Sequence, residues 1–409
     1  MNAPPSLMSA EALANPFELY QQLLSTQPVV AAPGADITLV LSYALVAEAT
    51  ARIEDFSNDF QGLLSGLRSE DPDVKAILEG GWPQVNTLLT ADPPVHTRFR
   101  KLVNLAFSMK RVDAIEAHMR EIVIALIDGL ADRGECDFVR DFAIPLPVQM
   151  ISEQIGIDRA DFATVKRWSD AFADRLGGMI SKERELECAR EVVEFQHAMK
   201  GQIEERRAAP KDDLLSDLVN AQVEGERPLD DAELLSILQQ LMVAGNETTT
   251  STLAGGLLQL IRAPDQLRKL QDDPSLIPNA VEEMLRTESP TAGLWRVVAR
   301  DTELGGVPLK QGTMLMLRFA AANRDPARFE NPDRFDVERK NARTHLAFGR
   351  GIHMCVGNML SRKEVTVAFQ ELIARLDGFE VTDESALQYP PNMLLRGLSA
   401  LPIRFGRRA

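Results

Sequence analysis

The 409-residue chain has little cysteine, no long apolar run and no excess of positive charge, and each shortage excludes something. Its three cysteines, Cys136, Cys188 and Cys355, are an odd, widely spaced set that builds no disulfide framework. None lies in a C-x-x-C pair, and three thiols do not complete a four-cysteine iron–sulfur site. With 45 Lys+Arg against 60 Asp+Glu, the formal net charge of −15 argues against a nucleic-acid-binding surface. The nearest approach to a long apolar run, Leu234 to Ile261, is interrupted by Asn246, Glu247 and several threonines, so no membrane span is expected. The N-terminus, MNAPPSLMSAEALANPFELYQQLL, lacks the basic and continuous apolar regions of a secretory signal. No G-x-G-x-x-G opens a helix after a strand, so no dinucleotide-binding domain is indicated. The expectation is a cytoplasmic monomer with reduced thiols.

What is present is an ordinary globular balance, 45% hydrophobic and 26% charged, with a sizeable core to bury. Apolar positions recur at three- and four-residue spacing over residues 111–130, 184–205, 230–262, 264–273, 278–287 and 358–377, which predicts helices there. The helix ending before Pro264 would be about 45 Å long at roughly 1.5 Å per residue. Extended segments are few: Asp36 to Ser42, and a small meander from Trp295 to Leu317 turning at Gly305-Gly306 and Lys310-Gln311-Gly312. Loops are expected from Asp71 to Gln84, from Arg206 to Lys211 and from Pro326 to Arg343. The fold class expected is mainly α with a minor β part. Length alone suggests two or three domains at roughly 150 residues each, yet no linker, repeat or compositional shift divides the chain.

The most specific stretch runs from Phe348 to Gly357, with Gly349, His353 and Cys355 inside it and an amphipathic run from Asn358 behind it. Cys136 and Cys188 read as small buried hydrophobes. Cys355 stands differently, among glycines that permit a tight loop and at the start of a helix. Backbone N–H groups there favour a thiolate, the form that ligates iron.

The pattern F-x-x-G-x-x-x-C-x-G, filled by Phe348, Gly351, Cys355 and Gly357, resembles the haem-binding loop of the cytochromes P-450. Companion motifs accompany it. Ala244-Gly245-Asn246-Glu247-Thr248-Thr249 alone would be a close helix–helix contact; beside the loop it resembles the family's oxygen-binding groove, (A/G)-G-x-(D/E)-T. Glu283 and Arg286, alone a solvated helical pair, match E-x-x-R, and Arg339 matches the arginine completing that buried triad. His96 and Arg100, alone a basic patch, match D-P-P-x-H-x-x-x-R, whose cations meet the haem propionates; Arg296 and His353 match the remaining propionate partners. Asn246, Glu247 and Trp295 depart in small ways from the commonest residues at their positions.

The resemblance covers nearly the whole chain. It implies the P-450 fold, with one haem domain over 1–409 and a long central helix across the haem. The implied cofactor is haem b (iron protoporphyrin IX), held by the Cys355 thiolate as metal ligand, with dioxygen as co-substrate. Thr248 and Glu247 would supply protons, as dioxygen cleavage with bulk water excluded requires. NAD(P)H would act indirectly, through a reductase and an iron–sulfur ferredoxin, docking on a basic patch of Arg98, Lys110, Arg111, Arg343, Arg350 and Arg362. His118, His197 and His345 are expected only at the surface or in local packing.

The function expected is hydroxylation or another oxidation of an apolar small molecule such as a terpenoid, steroid-like or aromatic compound. The resemblance places pocket residues at Trp82, Val85, Leu88 and Leu89, at Met242, and at Leu294, Leu394 and Leu395, a set without fixed charge. Two alternatives are a peroxide-driven peroxygenase, disfavoured by the Glu247-Thr248 pair, and a non-catalytic haem or small-molecule binding protein.

Overall fold

In the computed structural model, which describes residues 9–32, 37–60, 71–157, 162–177 and 180–408, helices begin and end where local chemistry punctuates them. The longest runs from Asp231 to Arg262. At its start Asp230 Oδ1 accepts the Glu233 N–H and Glu233 Oε2 accepts the Asp230 N–H, both at 3.0 Å, a reciprocal cap that satisfies two donors the helix cannot. Beyond its end Ala263 leaves the helical region, at φ −127° and ψ 70°, ahead of Pro264, and that proline opens the next helix, Pro264–Asp272, where no N–H is needed. The long helix continues through Gly245.

Other predicted helices are found at Lys182–Ala208, Ile277–Glu288 and Asn358–Arg375. The predicted 111–130 helix is two, Met109–Ala114 and Glu116–Ala131, because Ile115 relaxes to φ −93° and ψ −3° between them. Part of the predicted Asp71 to Gln84 loop is helical: Asp71 caps Pro72–Leu78 by accepting the Asp73 N–H at 2.9 Å, with proline in the first turn.

Short strands form three sheets among the described residues: β1 (Val29–Ala31), β2 (Ile37–Val40), β3 (Phe56–Ser57), β4 (Glu135–Asp137), β5 (Leu294–Val298), β6 (Thr302–Leu304), β7 (Val307–Leu309), β8 (Met314–Leu317), β9 (Leu376–Val381) and β10 (Pro402–Arg407). The largest is ordered β1-β2-β8-β5-β3, with β2 and β8 parallel. The 295–317 stretch is therefore not a simple meander. β5 pairs directly with β8, Leu294 opposite Leu317, while β6 and β7 leave as a separate hairpin. Gly305 and Gly306 turn that hairpin with φ of 58° and 76°, which side chains resist. β8 (MLML) is apolar throughout because it sits inside the sheet and is buried on both faces.

The chain divides into two compact units: Met1–Ser57, Ile115–Leu146 and Glu247–Ala409 form the first, Asn58–Ala114 and Pro147–Asn246 the second. All three sheets lie in the first unit, whose core joins Val40, Phe56, Val298, Leu315, Leu317 and Phe319 to Leu346. Leu346 stands just ahead of the Cys355 loop, so the sheet core fixes where that loop begins. The second unit is helical among its described residues. No helix of the described residues is long and apolar enough to cross a membrane.

Candidate functional site

In the first unit, the Cys355 loop reverses at Gly349 and Gly351, with φ of 65° and 74°. A Cβ on Gly351 would also lie 2.9 Å from Thr50 O, so conformation and space both demand glycine there. Gly357 has an ordinary φ of −83° and is not required by its backbone conformation. The Cys355 N–H donates to Phe348 O at 2.9 Å and closes the loop, and Asn358 Nδ2 donates to Cys355 O at 2.7 Å. Cys355 is half-buried. The other thiols are unsuited to ligation: burial pushes Cys136 up to about 12 and Cys188 up to about 11. The Cys355 sulfur, half-buried beside a helix N-terminus in a glycine-shaped loop, fits a haem ligand.

Glu283 and Arg286 are wholly buried one turn apart on helix Ile277–Glu288. Arg286 donates to both Glu283 oxygens at 2.7 and 2.8 Å, and Arg339 Nε donates to Glu283 Oε1 at 2.9 Å. The remaining guanidinium donors meet carbonyls, Arg286 those of Asn323 and Pro332, and Arg339 those of Glu330, Asn331 and Arg334. The three side chains thus close into one buried cluster that ties down the irregular 323–339 segment ahead of the loop. Arg296, on β5, is buried with Nη1 on Trp295 O at 2.7 Å, and His353 is half-buried two residues before the cysteine.

On the long helix, Ala244 is exposed, and Gly245, Glu247 and Thr248 are half-buried. Ser251 and Thr252 bond back to the carbonyls of Glu247 and Thr248, each at 2.8 Å. Thr249 Oγ1 lies 3.3 Å from Ser361 Oγ and bonds the side chain of Glu364, a carboxyl that burial pushes up to about 8. Glu364 is a buried acid that sequence reading missed, although its spacing with Ala368 and Leu372 puts it on the buried face of helix Asn358–Arg375. Asn246 is buried in the second unit, donating to Ser169 Oγ at 3.1 Å.

Also in the second unit, His96 and Arg100 share a face of helix Val95–Ala106. Burial and the Arg100 guanidinium hold the His96 imidazole down to about 4 against the pull of Asp92. The loop carrying Trp82, Val85, Leu88 and Leu89, all half-buried, is fixed by its backbone N–H groups: Trp82 donates to Gln196 Oε1, Val85 to Ser236 Oγ and Leu89 to Gln240 Oε1, at 2.9, 3.0 and 3.3 Å. Met242 is wholly buried. In the first unit, Leu394 and Leu395 are joined to the Thr291–Leu294 stretch, Leu394 O accepting the Ala292 N–H at 2.7 Å.

Against known sequences, the family model "Cytochrome P450" matches residues 162–402. The chain belongs to the cytochrome P450 family. This P450 is 38% identical to the steroid C26-monooxygenase of Mycobacterium tuberculosis, over 94% of this chain and 92% of that one. It is 37% identical to the 6-deoxyerythronolide B hydroxylase of Saccharopolyspora erythraea over 99% of both chains. Its fold resembles that of a Bacillus megaterium P450 solved in complex with testosterone, with a TM-score of 0.83, 30% identity, and coverage of 95% and 99%. The chain is thus a P450 monooxygenase, of a family whose cofactor is haem ligated by a cysteine thiolate.

The expected basic docking patch is thinned in this P450. Arg98 is taken by Glu233 at 2.8 Å, Arg111 by Asp217 and Asp212 at 2.7 and 2.6 Å, and Arg362 by Glu282 at 2.7 Å. These acids lie far away in sequence, so the pairing was not legible there. Arg343, although 3.8 Å from Glu282, and Arg350 are exposed around the loop, as are the apolar side chains of Ile352 and Met354.

Proposed function

We propose that this P450 oxygenates a steroid-like apolar molecule with electrons from an external ferredoxin and reductase, as one haem domain spanning the chain. The observation that carries the reading is the Cys355 loop, where glycine geometry presents one half-buried sulfur. The steroid assignment is supported by the apolar candidate pocket residues and by the names of the relatives. Haem bound through a thiolate supplies dioxygen activation, the sulfur pushing electron density toward the iron. Cys355 supplies that sulfur. His96, Arg100, Arg296 and His353 would orient the propionates, the arginines by charge and the histidines by their ring N–H groups.

Trp82, Val85, Leu88, Leu89 and Met242 of the second unit, and Leu294, Leu394 and Leu395 of the first, are the candidate apolar substrate contacts. Thr248 holds a proton at Oγ1, and Glu247 resupplies it from solvent. Thr248→Ala should leave ligand binding unchanged while product per NAD(P)H falls at least about tenfold and hydrogen peroxide rises correspondingly. Equal product yield in that variant would remove Thr248 from the relay.

The reading as a whole is tested by reconstitution with a ferredoxin, its reductase, NAD(P)H and testosterone as probe. A ligand-induced Soret shift and an oxygenated product that depends on the ferredoxin are expected. Neither shift nor product would sink the steroid assignment, and product formed equally well from hydrogen peroxide alone would make the enzyme a peroxygenase.

A further inference from the structure

Glu282 precedes the triad glutamate, is buried on helix Ile277–Glu288, and makes a separate set of bonds. Its Oε2 accepts from His345 Nε2 at 3.0 Å and from Arg362 Nη2 at 3.1 Å, and its Oε1 accepts from Arg362 Nε at 2.7 Å. His345 is buried, and its Nδ1 accepts the Ala347 N–H at 3.0 Å, which fixes the tautomer with the proton on Nε2. His345 is thus a neutral donor, and burial holds it so; the positive partners of the carboxylate are Arg362 at 2.7 Å and, more distantly, the exposed Arg343 at 3.8 Å. Burial alone would push Glu282 up, but the bonds from His345 and Arg362 outweigh it and bring the carboxyl down to about 2.

Both partners lead into the Cys355 loop. Ala347, held by His345, adjoins Phe348, whose carbonyl takes the Cys355 N–H. Arg362 Nη1 donates to Asn358 Oδ1 at 2.7 Å, and Asn358 Nδ2 donates in turn to Cys355 O at 2.7 Å. The Arg362 guanidinium also lies over the Phe348 ring, 4.4 Å from its centroid. Entry and exit of the loop therefore converge on one carboxylate. Among the described residues, the bonds of Glu283 go instead to Arg286, Arg339 and the Asp336 N–H, and Arg286 leads toward the loop through Asn323, whose Oδ1 takes the Leu346 N–H.

We propose that Glu282, acting through His345 and Arg362, is the positioning residue for the Cys355 sulfur, a task distinct from that of the Glu283 triad. The proposal rests on Cys355 being the haem ligand. A carboxylate that fastens both ends of a ligand loop holds the sulfur on the metal when thermal motion or protonation would release it. Removing it leaves Arg362 without its buried partner and lets the loop ends move independently.

The test uses the haem-loaded full chain as Glu282→Gln, Glu282→Asp and Arg362→Lys, with Arg206→Met, which breaks a buried pair with Asp213 in the other unit, as a control for general destabilisation. At equal haem content, the reduced carbon monoxide form of Glu282→Gln should lose its thiolate-type Soret band about 10- to 100-fold faster than the wild type. Glu282→Asp should recover part of that loss, and Arg206→Met should keep the wild-type rate. Decay of Glu282→Gln at the wild-type or control rate overturns the proposal. Should Glu282→Gln not accumulate, Arg362→Lys, which keeps the charge but loses the fork and the stack on Phe348, decides by the same comparison. A wild type with no thiolate-type band would overturn the Cys355 assignment itself, whereas a stable wild-type band with unaffected variants removes only Glu282.

Discussion

Replacing Glu283 with glutamine, or Arg286 with methionine, should cost about 3–5 kcal/mol of stability and leave little haem-loaded protein. Both groups are wholly buried, and each is the other's main neutralising partner. Glu283 also accepts from Arg339 and from the Asp336 N–H, so an amide in its place meets donors with a donor of its own. Arg286→Met strands the carboxylate and frees the carbonyls of Asn323 and Pro332 at once. Denaturant unfolding and haem-per-chain measurements check this. A loss below about 1 kcal/mol with full haem content would mean the triad is replaceable by ordinary packing.

Glu364→Gln should change the pH dependence of stability more than any substitution of an exposed acid. The Glu364 carboxyl sits at about 8 in the folded chain against an ordinary 4.5, because it is buried with only the Thr249 hydroxyl to help it ionise. Between those values the folded chain keeps a proton that the unfolded chain releases, so this contribution to stability is complete below about 4.5 and is lost as pH rises through about 8. At roughly 1.4 kcal/mol per unit, the wild type should lose on the order of 4 kcal/mol relative to Glu364→Gln across that window. Urea unfolding of both proteins at pH 5 and pH 8.5 reads the difference. Parallel stability curves would mean that Glu364 is ionised in the folded state.

Much of the site was legible because its parts are local in sequence. Glycines at positive φ mark the Cys355 loop, the triad glutamate and arginine stand one turn apart, and Pro264 ends the long helix. What escaped is tertiary. Nothing near His345 shows that its ring meets Glu282, so a histidine expected in local packing proves to be buried between the loop and helix Ile277–Glu288. The 295–317 stretch has meander turns but not meander pairing, because β8 completes the sheet against β2, a strand far earlier in the chain. His96 carries the propionate motif, yet the burial that lowers its imidazole is visible only in the fold.

The central claim is that Cys355 alone, as a thiolate, ligates haem in this P450, and the reduced carbon monoxide spectrum tests it most directly. The account predicts a strongly red-shifted, thiolate-type Soret band for the wild type, for Cys136→Ser and for Cys188→Ser, and its loss in Cys355→Ser. An unshifted band in the wild type, or a thiolate-type band that survives in Cys355→Ser, would contradict it.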